Sequence, residues 1–441
     1  MRPALPALRH FTLFLLFALW AGHTAAQLMT LEQCVDSALV NDRRVRMAAL
    51  DEEMATVRIA EAQAGLIPKV RGAGEFRHYT DLPYQLLPSS FFGGPEGTYR
   101  EIQFGTQQNI NANVQAQMPL YDPQVWGAIN MAKEGGRMAD IQGERTREAV
   151  VLEVSHVYYN AQILKTRLAF LDSNVVNAEA LVRRIELMHD QSLARGSDVD
   201  RLRLQREQLL TQRERVRSHY QQAMDALRVL IGAPVDSPLE VAASETAPPT
   251  ATLSSGLGTG VRTAEQAMRL KVAELQLVKR SRIPSLNATG LYGTTGFGPI
   301  GAENRYDFYP IGFFGAQLQV PIFQGTVLGK RIKSKELELE HATLQRDAAM
   351  ERDALERRTA LREEALARRA LADSRGQLEL AERIRSSTVL QHAQGVASIT
   401  DIVLADQAHR EAQQNTIDAL IQLRKAQLEL TRLNGALLNT K

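Results

Sequence analysis

One stretch of the chain, NINANVQAQMP at residues 109–119, alternates apolar and amide side chains without a break. A period of two places alternate side chains on opposite faces of a β-strand. The apolar face then carries Ile110, Ala112, Val114, Ala116 and Met118. The other face carries Asn109, Asn111, Asn113, Gln115 and Gln117. Because no residue in the run is charged, the pattern predicts a strand with one apolar face and one amide-lined face.

Three further stretches alternate in a similar way. The clearest places Gln317 and Gln319 opposite an apolar set formed by Phe314, Ala316, Leu318, Val320 and Ile322. Glycine dilutes the alternation in the other two, where Val70 shares a face with Phe76 and Leu286 shares one with Ala288. The sequence therefore predicts four strands, at about 69–79, 108–119, 285–296 and 310–322.

Helical patterns rich in Ala, Leu, Arg and Glu fill most of the remaining chain. Helices predicted over about 30–66 and 262–282 end at Ile-Pro, because the residue before a proline resists the helical conformation. No proline lies between Pro123 and Pro234, and residues 324–441 contain neither proline nor an aromatic residue. Such long runs exceed ordinary globular helices and predict coiled-coil packing.

The order of these patterns is repeated at an offset of about 200 residues. QMPLY at 117–121 matches QVPIF at 319–323, and LIGA at 230–233 matches LNGA at 433–436. The predicted organisation is a first repeat over 27–231, a linker over 232–261 rich in Pro, Ser, Thr and Gly, and a second repeat over 262–441. We expect short strands within the linker to wrap around the helices.

The N-terminus predicts export. Arg2 and Arg9 precede the apolar run 11–21, and small residues follow at 24–26. This is the pattern of a secretory signal over residues 1–26, since the run is too short for a membrane anchor. Its removal leaves 50 basic and 50 acidic residues, so no basic excess favours nucleic acid. Cys34 is the only cysteine, which excludes an intramolecular disulfide.

The strands admit two interpretations, a soluble sheet on a helical core or membrane strands with a wet amide face. We favour the second, since 108–119 has the length of a tilted membrane strand. In a bilayer the sheet must close, and four strands are too few. Two chains give eight strands and three give twelve, and a conduit favours three because an eight-stranded barrel is filled by side chains.

No catalytic, cofactor or metal-binding pattern was found. The sequence lacks a His-Glu-x-x-His site, a Gly-x-Ser-x-Gly turn and a phosphate loop. We therefore expect no enzyme activity, no cofactor and no metal, and any energy for transport must come from partners. The aromatic segment 81–106 is predicted to be an external loop.

The chain resembles the TolC family of outer-membrane channels over its whole mature length. The resemblance rests on TLEQCVDSALV at 30–40, the strand ends PLY at 119–121 and PIF at 321–323, and the turns ARGSDVDRLRLQ and AQGVASITDIVLAD. It implies a homotrimer in which a 12-stranded outer-membrane β-barrel stands on a long α-helical periplasmic tunnel. It further implies passive efflux or type I secretion with a periplasmic adaptor and an inner-membrane pump or ABC transporter.

The resemblance also implies site residues. Lipid would contact the apolar faces and water the amide faces of the strands. Adaptors would dock at the helical turns, at Gly196, Ser197, Gly395, Val396 and Ala397. Asp401 matches an acidic constriction, to which we add Asp198 and Asp200 from the other repeat, while Leu404 replaces a second acidic position. We expect Ser197 and Ser398 to cap the following helices and the first turn to be about two residues shorter.

Two rival classes remain open from the sequence. A soluble periplasmic coiled-coil scaffold or adaptor would share the signal and the long helices, but it should lack paired alternating strands. An autonomous porin is disfavoured because four strands per chain cannot close a barrel.

Overall fold

The computed structural model describes residues 27–234, 236–242, 256–300, 305–435 and 437–438. The expected signal over 1–26 lies outside the described residues. The chain divides into two compact units. Unit 1 comprises residues 1–51, 140–263 and 347–441, and unit 2 comprises residues 52–139 and 264–346.

The first predicted helix is two helices, α1 (Leu31–Asn41) and α2 (Arg43–Ala64). Thr30 starts α1 through a capping box, because its hydroxyl accepts from the Gln33 N–H while the Gln33 amide accepts from the Thr30 N–H. Asp42 separates the helices in an extended conformation, and its Oδ1 accepts from the Arg44 N–H at 2.7 Å. Such a local bond competes with the helix, which explains a break that the apolar pattern did not predict.

The core of unit 1 contains a short parallel strand pair, β1 (Gln27–Met29) with β6 (Leu239–Val241). The second of these strands lies in the predicted linker. Cys34, Ala38, Val154 and Leu227 pack in the same core cluster and are fully buried or nearly so. The hydroxyl of Tyr158 donates to the Met29 carbonyl at 3.1 Å, which links the helix that contains Tyr158 to β1.

Four long helices follow the two strand regions, and their lengths repeat. The helices α3 (Pro123–Asp190) and α4 (Gly196–Ile231) contain 68 and 36 residues. After α5 (Thr259–Arg280), the helices α6 (Val327–Ala393) and α7 (Ile399–Leu433) contain 67 and 35 residues. The duplication predicted from the sequence is therefore present in the order and the lengths of the elements.

Buried residues of the long helices recur at alternating intervals of three and four, the spacing of a coiled coil. In α3 the series is Leu171, Val175, Ala178, Val182 and Ile185. In α7 it includes Ile402, Ala405, His409 and Ala412. Alanine fills many of these positions, so the helices of unit 1 can approach closely while long charged side chains remain at their edges.

Unit 2 contains a four-stranded antiparallel sheet of order β2-β5-β7-β8. Its strands are β2 (Lys69–His78), β5 (Gln108–Tyr121), β7 (Ser285–Ile300) and β8 (Arg305–Gln319). The predicted loop 81–106 is itself partly ordered as a hairpin of β3 (Tyr84–Pro88) and β4 (Tyr99–Gln103), with a 3₁₀ turn at Ser89–Phe92.

Candidate functional site

The register of the four-stranded sheet gathers the predicted apolar residues on one face. Directly paired residues place their side chains on the same side. One row runs Val70, Ala116, Gly290 and Phe314 across the four strands. Further rows add Phe76, Ile110, Ala112, Val114, Tyr292, Met118, Ala288, Ala316, Leu286 and Leu318. We call this the apolar face.

The apolar face is open in a single chain. Phe314 is 94% exposed, Tyr292 is 72% exposed and Leu318 is 64% exposed. Val320 was predicted on the same face but follows the end of β8 and is half exposed. An exposed apolar surface of this kind marks a membrane or protein contact.

The opposite face, here the amide face, gathers the predicted polar residues. Asn109, Asn111, Asn113, Gln115 and Gln117 pair with Arg77, Glu75, Ala73, Arg71 and Lys69 of β2. On the other side, Gln317 pairs with Asn287 and Gln319 pairs with Ser285. The Thr295 hydroxyl donates to the Asn111 Oδ1 at 2.8 Å, which links β7 to β5 on this face. The three asparagines of β5 and Gln115 are half-buried, whereas Gln117, Gln317 and Gln319 are exposed.

Apolar side chains interrupt the amide face towards the β7–β8 connection. Leu291, Ile311, Phe313 and Tyr309 share this face, because they pair in register with its polar members. The sequence pattern did not predict them, since alternation in β8 is strict only near its C-terminal end. On the apolar face, Phe308 at this end is typical of the aromatic girdle where a membrane strand meets water.

Glycines allow close contact between the strands. A Cβ at Gly293 would clash with the Ala112 carbonyl and lie 2.6 Å from the Asn113 Cβ of the neighbouring strand. A Cβ at Gly296 would lie 2.6 Å from the Phe308 ring, which covers the glycine from the paired strand. Packing therefore requires glycine at these two positions of β7, whereas a Cβ at Gly72 or Gly74 of β2 would meet nothing within 4 Å.

The sheet ends at two open edges. Among the described residues, β2 pairs only with β5, and β8 pairs only with β7. Each edge presents a row of backbone N–H and C=O groups without a strand partner from this chain.

The first helical turn, residues 191–195, differs from its prediction. Ser192, with φ of 62°, occupies the left-handed conformation, and Gly196 is the first residue of α4. The predicted Ser197 cap is wrong, because Arg195 is the N-cap residue and makes no side-chain cap bond. Gly196 and Ser197 are exposed, as is Leu193.

The second turn, residues 394–398, has the same length as the first, so the predicted difference of two residues is wrong. Gly395 takes φ of 75°, as expected of a helix C-cap. Gly395 and Val396 are exposed and Ala397 is half-buried. The His392 Nδ1 donates to the Ala397 carbonyl at 2.9 Å and braces the turn.

The two turns lie side by side within unit 1. Ile399 and Val403, which follow the second turn, pack on a cluster formed by Val182, Ile185, Val199 and Leu202 next to the first turn. Leu193 and Val396 place one exposed apolar side chain in each turn. The sequence analysis identified Val396 but missed Leu193, for which the repeat offset was the available signal.

The acidic residues near the turns have different surroundings. Asp401 is exposed and forms a capping box with Ser398, as predicted for the serine. Its Oδ2 accepts from the Ser398 hydroxyl at 2.7 Å and the Ser398 N–H at 2.8 Å, and these bonds lower the pKa of Asp401. Asp198 is half-buried in the first turn of α4, and Asp200 is exposed. Leu404 is also exposed.

A buried charge network that the sequence analysis missed lies further along α7. The Asp406 carboxylate lies 3.8 Å from Arg385 and 3.9 Å from Arg410, and burial raises its pKa. The His409 Nε2 lies 2.7 Å from a Glu382 oxygen. Burial lowers the pKa of His409 and outweighs the attraction of Glu382. His409 sits at a buried heptad position, where an imidazole was not expected.

Two further features, a membrane-spanning helix and a metal-ion cluster, are absent from the described residues. No helix among the described residues combines the length and apolar character that crossing a membrane requires. In the same residues, no group of three or more His, Cys, Asp or Glu side chains is placed to hold a metal ion.

The sequence of the chain is similar to a known family and to known proteins. Residues 34–233 match the family described as outer membrane efflux protein. The chain is similar to the outer membrane protein TolC of Salmonella enteritidis, with 20% identity over 341 residues. That alignment covers 74% of this chain and 65% of the relative, which is less than two thirds of the relative's length.

Solved structures share the fold over almost the whole chain. The outer membrane protein VceC of Vibrio cholerae matches with a TM-score of 0.72 and 14% identity, over 92% of this chain and 96% of that one. CusC matches with a TM-score of 0.75 and 15% identity, over 92% and 91%. These matches confirm the fold that the TolC-family resemblance implied.

Proposed function

We propose that three copies of the mature chain form the exit duct of an efflux or secretion system in the outer membrane. The observation that carries the proposal is the four-stranded sheet, which exposes one continuous apolar face and leaves two edges open. Lipid is the environment that favours an apolar face, and lipid tolerates no open edge.

Three copies supply twelve strands. Alternating strand directions across the sheet make the β8 edge antiparallel to a β2 edge, so β8 of one copy pairs with β2 of the next. The apolar face then contacts lipid and the amide face lines a water-filled lumen. A barrel of twelve strands is wide enough to leave a channel.

The long helices form the periplasmic part of the duct in this proposal. Passive export through it requires an inner-membrane pump or ABC transporter and a periplasmic adaptor. The docking residues are Gly196, Ser197, Gly395, Val396 and Ala397, and the exposed Leu193 joins them. Asp401, with Asp198 and Asp200, is proposed to line a narrow, cation-attracting part of the tunnel.

The decisive experiment combines membrane partition with the protein mass of the extracted complex. Membranes carrying the mature chain are washed with carbonate and then extracted with detergent, and light scattering gives the mass after subtraction of detergent. We expect extraction by detergent alone and a mass of three chains. A carbonate-soluble monomer would instead identify a periplasmic scaffold and overturn the duct.

A further inference from the structure

A groove lies in unit 2 where the sheet meets the helices of the second repeat. It has a volume of about 560 Å³. Its lining includes Arg282 after α5, Ile322 and Phe323 after β8, and Lys330 and Lys333 in the first turns of α6. We call it the junction groove.

The junction groove is strongly basic. The segment 280–285 carries two basic residues and no acidic one, and residues 324–334 carry three basic residues and no acidic one. Among the described residues, no carboxylate lies within 4.0 Å of the charged groups of Arg282, Lys330 or Lys333. The start of α6 adds helix N–H groups, which also favour an anion.

Neighbouring cations in the same unit are paired, which sets the groove apart. Lys335 lies 2.8 Å from Glu274 and 2.8 Å from Glu338. Lys271 lies 3.0 Å from Glu274 and 3.2 Å from Glu338, closing a ring of alternating charges between α5 and α6. Ion pairs therefore neutralise the lysines that lie one or two helical turns from the sheet. The basic side chains of the groove, which lie beside the sheet, remain available to an anion.

The other part of the groove is apolar and open. Ile322 is 92% exposed and Phe323 is 85% exposed. Ile322 continues the alternation of Phe314 and Leu318, so the groove begins where the apolar face ends. A ligand that fits both parts carries an anionic head and an apolar tail.

We propose that the junction groove binds the phosphate of an anionic glycerophospholipid in the periplasmic leaflet, with the acyl chains along the apolar face. The proposal rests on the proposed function, because it requires the apolar face to contact lipid. Basic side chains at the end of a membrane segment commonly hold such headgroups while their stems lie on apolar surface.

The first repeat has no equivalent cluster of basic residues where its sheet strands meet its long helix. The corresponding helix start has Asp122, whose carboxylate accepts from the Gln124 N–H at 2.9 Å, and only Lys69 is basic at the start of β2. Within the described part of the chain the proposal therefore gives one lipid site per copy, and three per trimer.

Native mass spectrometry of the delipidated, detergent-held complex tests the proposal. The complex is mixed with equimolar dioleoyl phosphatidylglycerol and dioleoyl phosphatidylcholine. We expect retention of phosphatidylglycerol to exceed that of phosphatidylcholine by about tenfold, up to three per complex. The triple variant Arg282→Gln, Lys330→Gln, Lys333→Gln should retain both lipids equally.

A matched triple variant controls for net charge. Arg58→Gln, Arg100→Gln and Lys133→Gln remove the same charge from exposed positions of unit 2 that do not line the groove, so this variant should retain lipid as the wild type does. Equal loss in both variants, or an unchanged preference in the groove variant, overturns the site.

Two further arms separate the alternatives. If inorganic phosphate displaces phosphatidylglycerol at comparable concentration, the groove is a phosphate site and the lipid assignment is wrong. Mass and conductance are measured on the same samples before lipid is added. A groove variant that remains a conducting trimer without lipid preference supports the site, whereas a wild-type monomer overturns the duct itself.

Discussion

Cys34 shows how one side chain reports on the core of unit 1. Its thiol is fully buried in α1, and burial raises its pKa to about 11. The thiolate is the reactive form, so we expect no labelling by a maleimide at pH 7 in the folded protein and complete labelling in denaturant. Fast labelling of the native complex, followed by mass spectrometry, would contradict the burial of α1.

Asp401 has two separable roles, as a helix cap and as the proposed constriction charge. Ser398→Ala removes the cap bond but keeps the carboxylate, at a cost of about 1 kcal/mol in stability. Asp401→Ala removes the carboxylate and the two bonds that it accepts from Ser398, but it keeps the backbone N–H that donates to the Ser398 hydroxyl. In bilayer recordings we expect block by divalent cations to weaken in Asp401→Ala and to persist in Ser398→Ala.

The comparison of these two variants decides the assignment. Equal block in wild type and Asp401→Ala would remove Asp401 from the constriction. Equal loss of block in both variants would show that cap geometry, and not charge, controls the tunnel.

His409 makes the α7 seam sensitive to acid. Burial lowers its pKa below the usual 6.5, so its stabilising contribution is complete above pH 6.5 and is lost as pH falls through the lowered value. We expect the melting temperature of the detergent-held protein to fall between pH 7 and pH 5 in the wild type. His409→Leu, which fits the heptad, should remove most of that fall.

Asp406→Asn is the matched control for His409. The raised pKa of Asp406 acts in the opposite direction, because its contribution is present at low pH and is lost as pH rises through that value. The acid sensitivity should therefore persist in Asp406→Asn. If His409→Leu retained the full wild-type pH dependence, another group would be responsible.

At the scale of elements, the glycines of β7 and β8 give a graded test of the sheet. Gly293 approaches the backbone of β5, whereas a Cβ at Gly315 would meet nothing within 4 Å. Both lie on the amide face. We expect Gly293→Ala to cost about 1–3 kcal/mol, as overpacking does, and Gly315→Ala to cost little. The dissociation temperature of the complex measures both.

The informative result of the glycine test is the ranking of the three substitutions by their loss of stability. Gly296→Ala should be intermediate, since the Phe308 ring can swing away while a backbone carbonyl cannot. Equal tolerance at Gly293 and Gly315 would show that the β5–β7 register is different from the one described.

The periodicity of apolar residues predicted the helices and strands better than the connections between them. Alternation located β5 and the C-terminal part of β8, and the absence of proline located the long helices. The break at Asp42, the left-handed Ser192 and the β3–β4 hairpin depend on single side-chain bonds and loop pairing, which no period records. The buried His409 was missed because a polar residue at a heptad position is indistinguishable from a surface residue in sequence.

At the scale of the whole molecule, the proposed closure of the sheet predicts contacts between copies. In a Cys34→Ala background, a cysteine replaces Gly74 in β2, and a second replaces Gly312, Phe314 or Ala316 in β8. Because all four positions belong to edge strands, oxidation should link different chains at one of the three pairings. Denaturing gels measure the linked species.

A control pair tests the edges specifically. A cysteine at Ala112 lies on the same face but in the inner strand β5, so with the same β8 series it should not link chains. Absence of linked chains for every edge pair, with the complex intact, would contradict closure between β8 and β2.

The open edges of β2 and β8 also limit the time for which a single chain can remain unassembled without mispairing. A chain that has not yet assembled has two open strand edges, and any exposed strand of another protein can pair with them. Its correct partners and its wrong ones compete at rates that depend on their concentrations. If the proposed closure is correct, mispairing of these edges therefore depends on how fast further copies of the chain become available, and a slow supply of copies promotes mispairing as a mutation in the strands does.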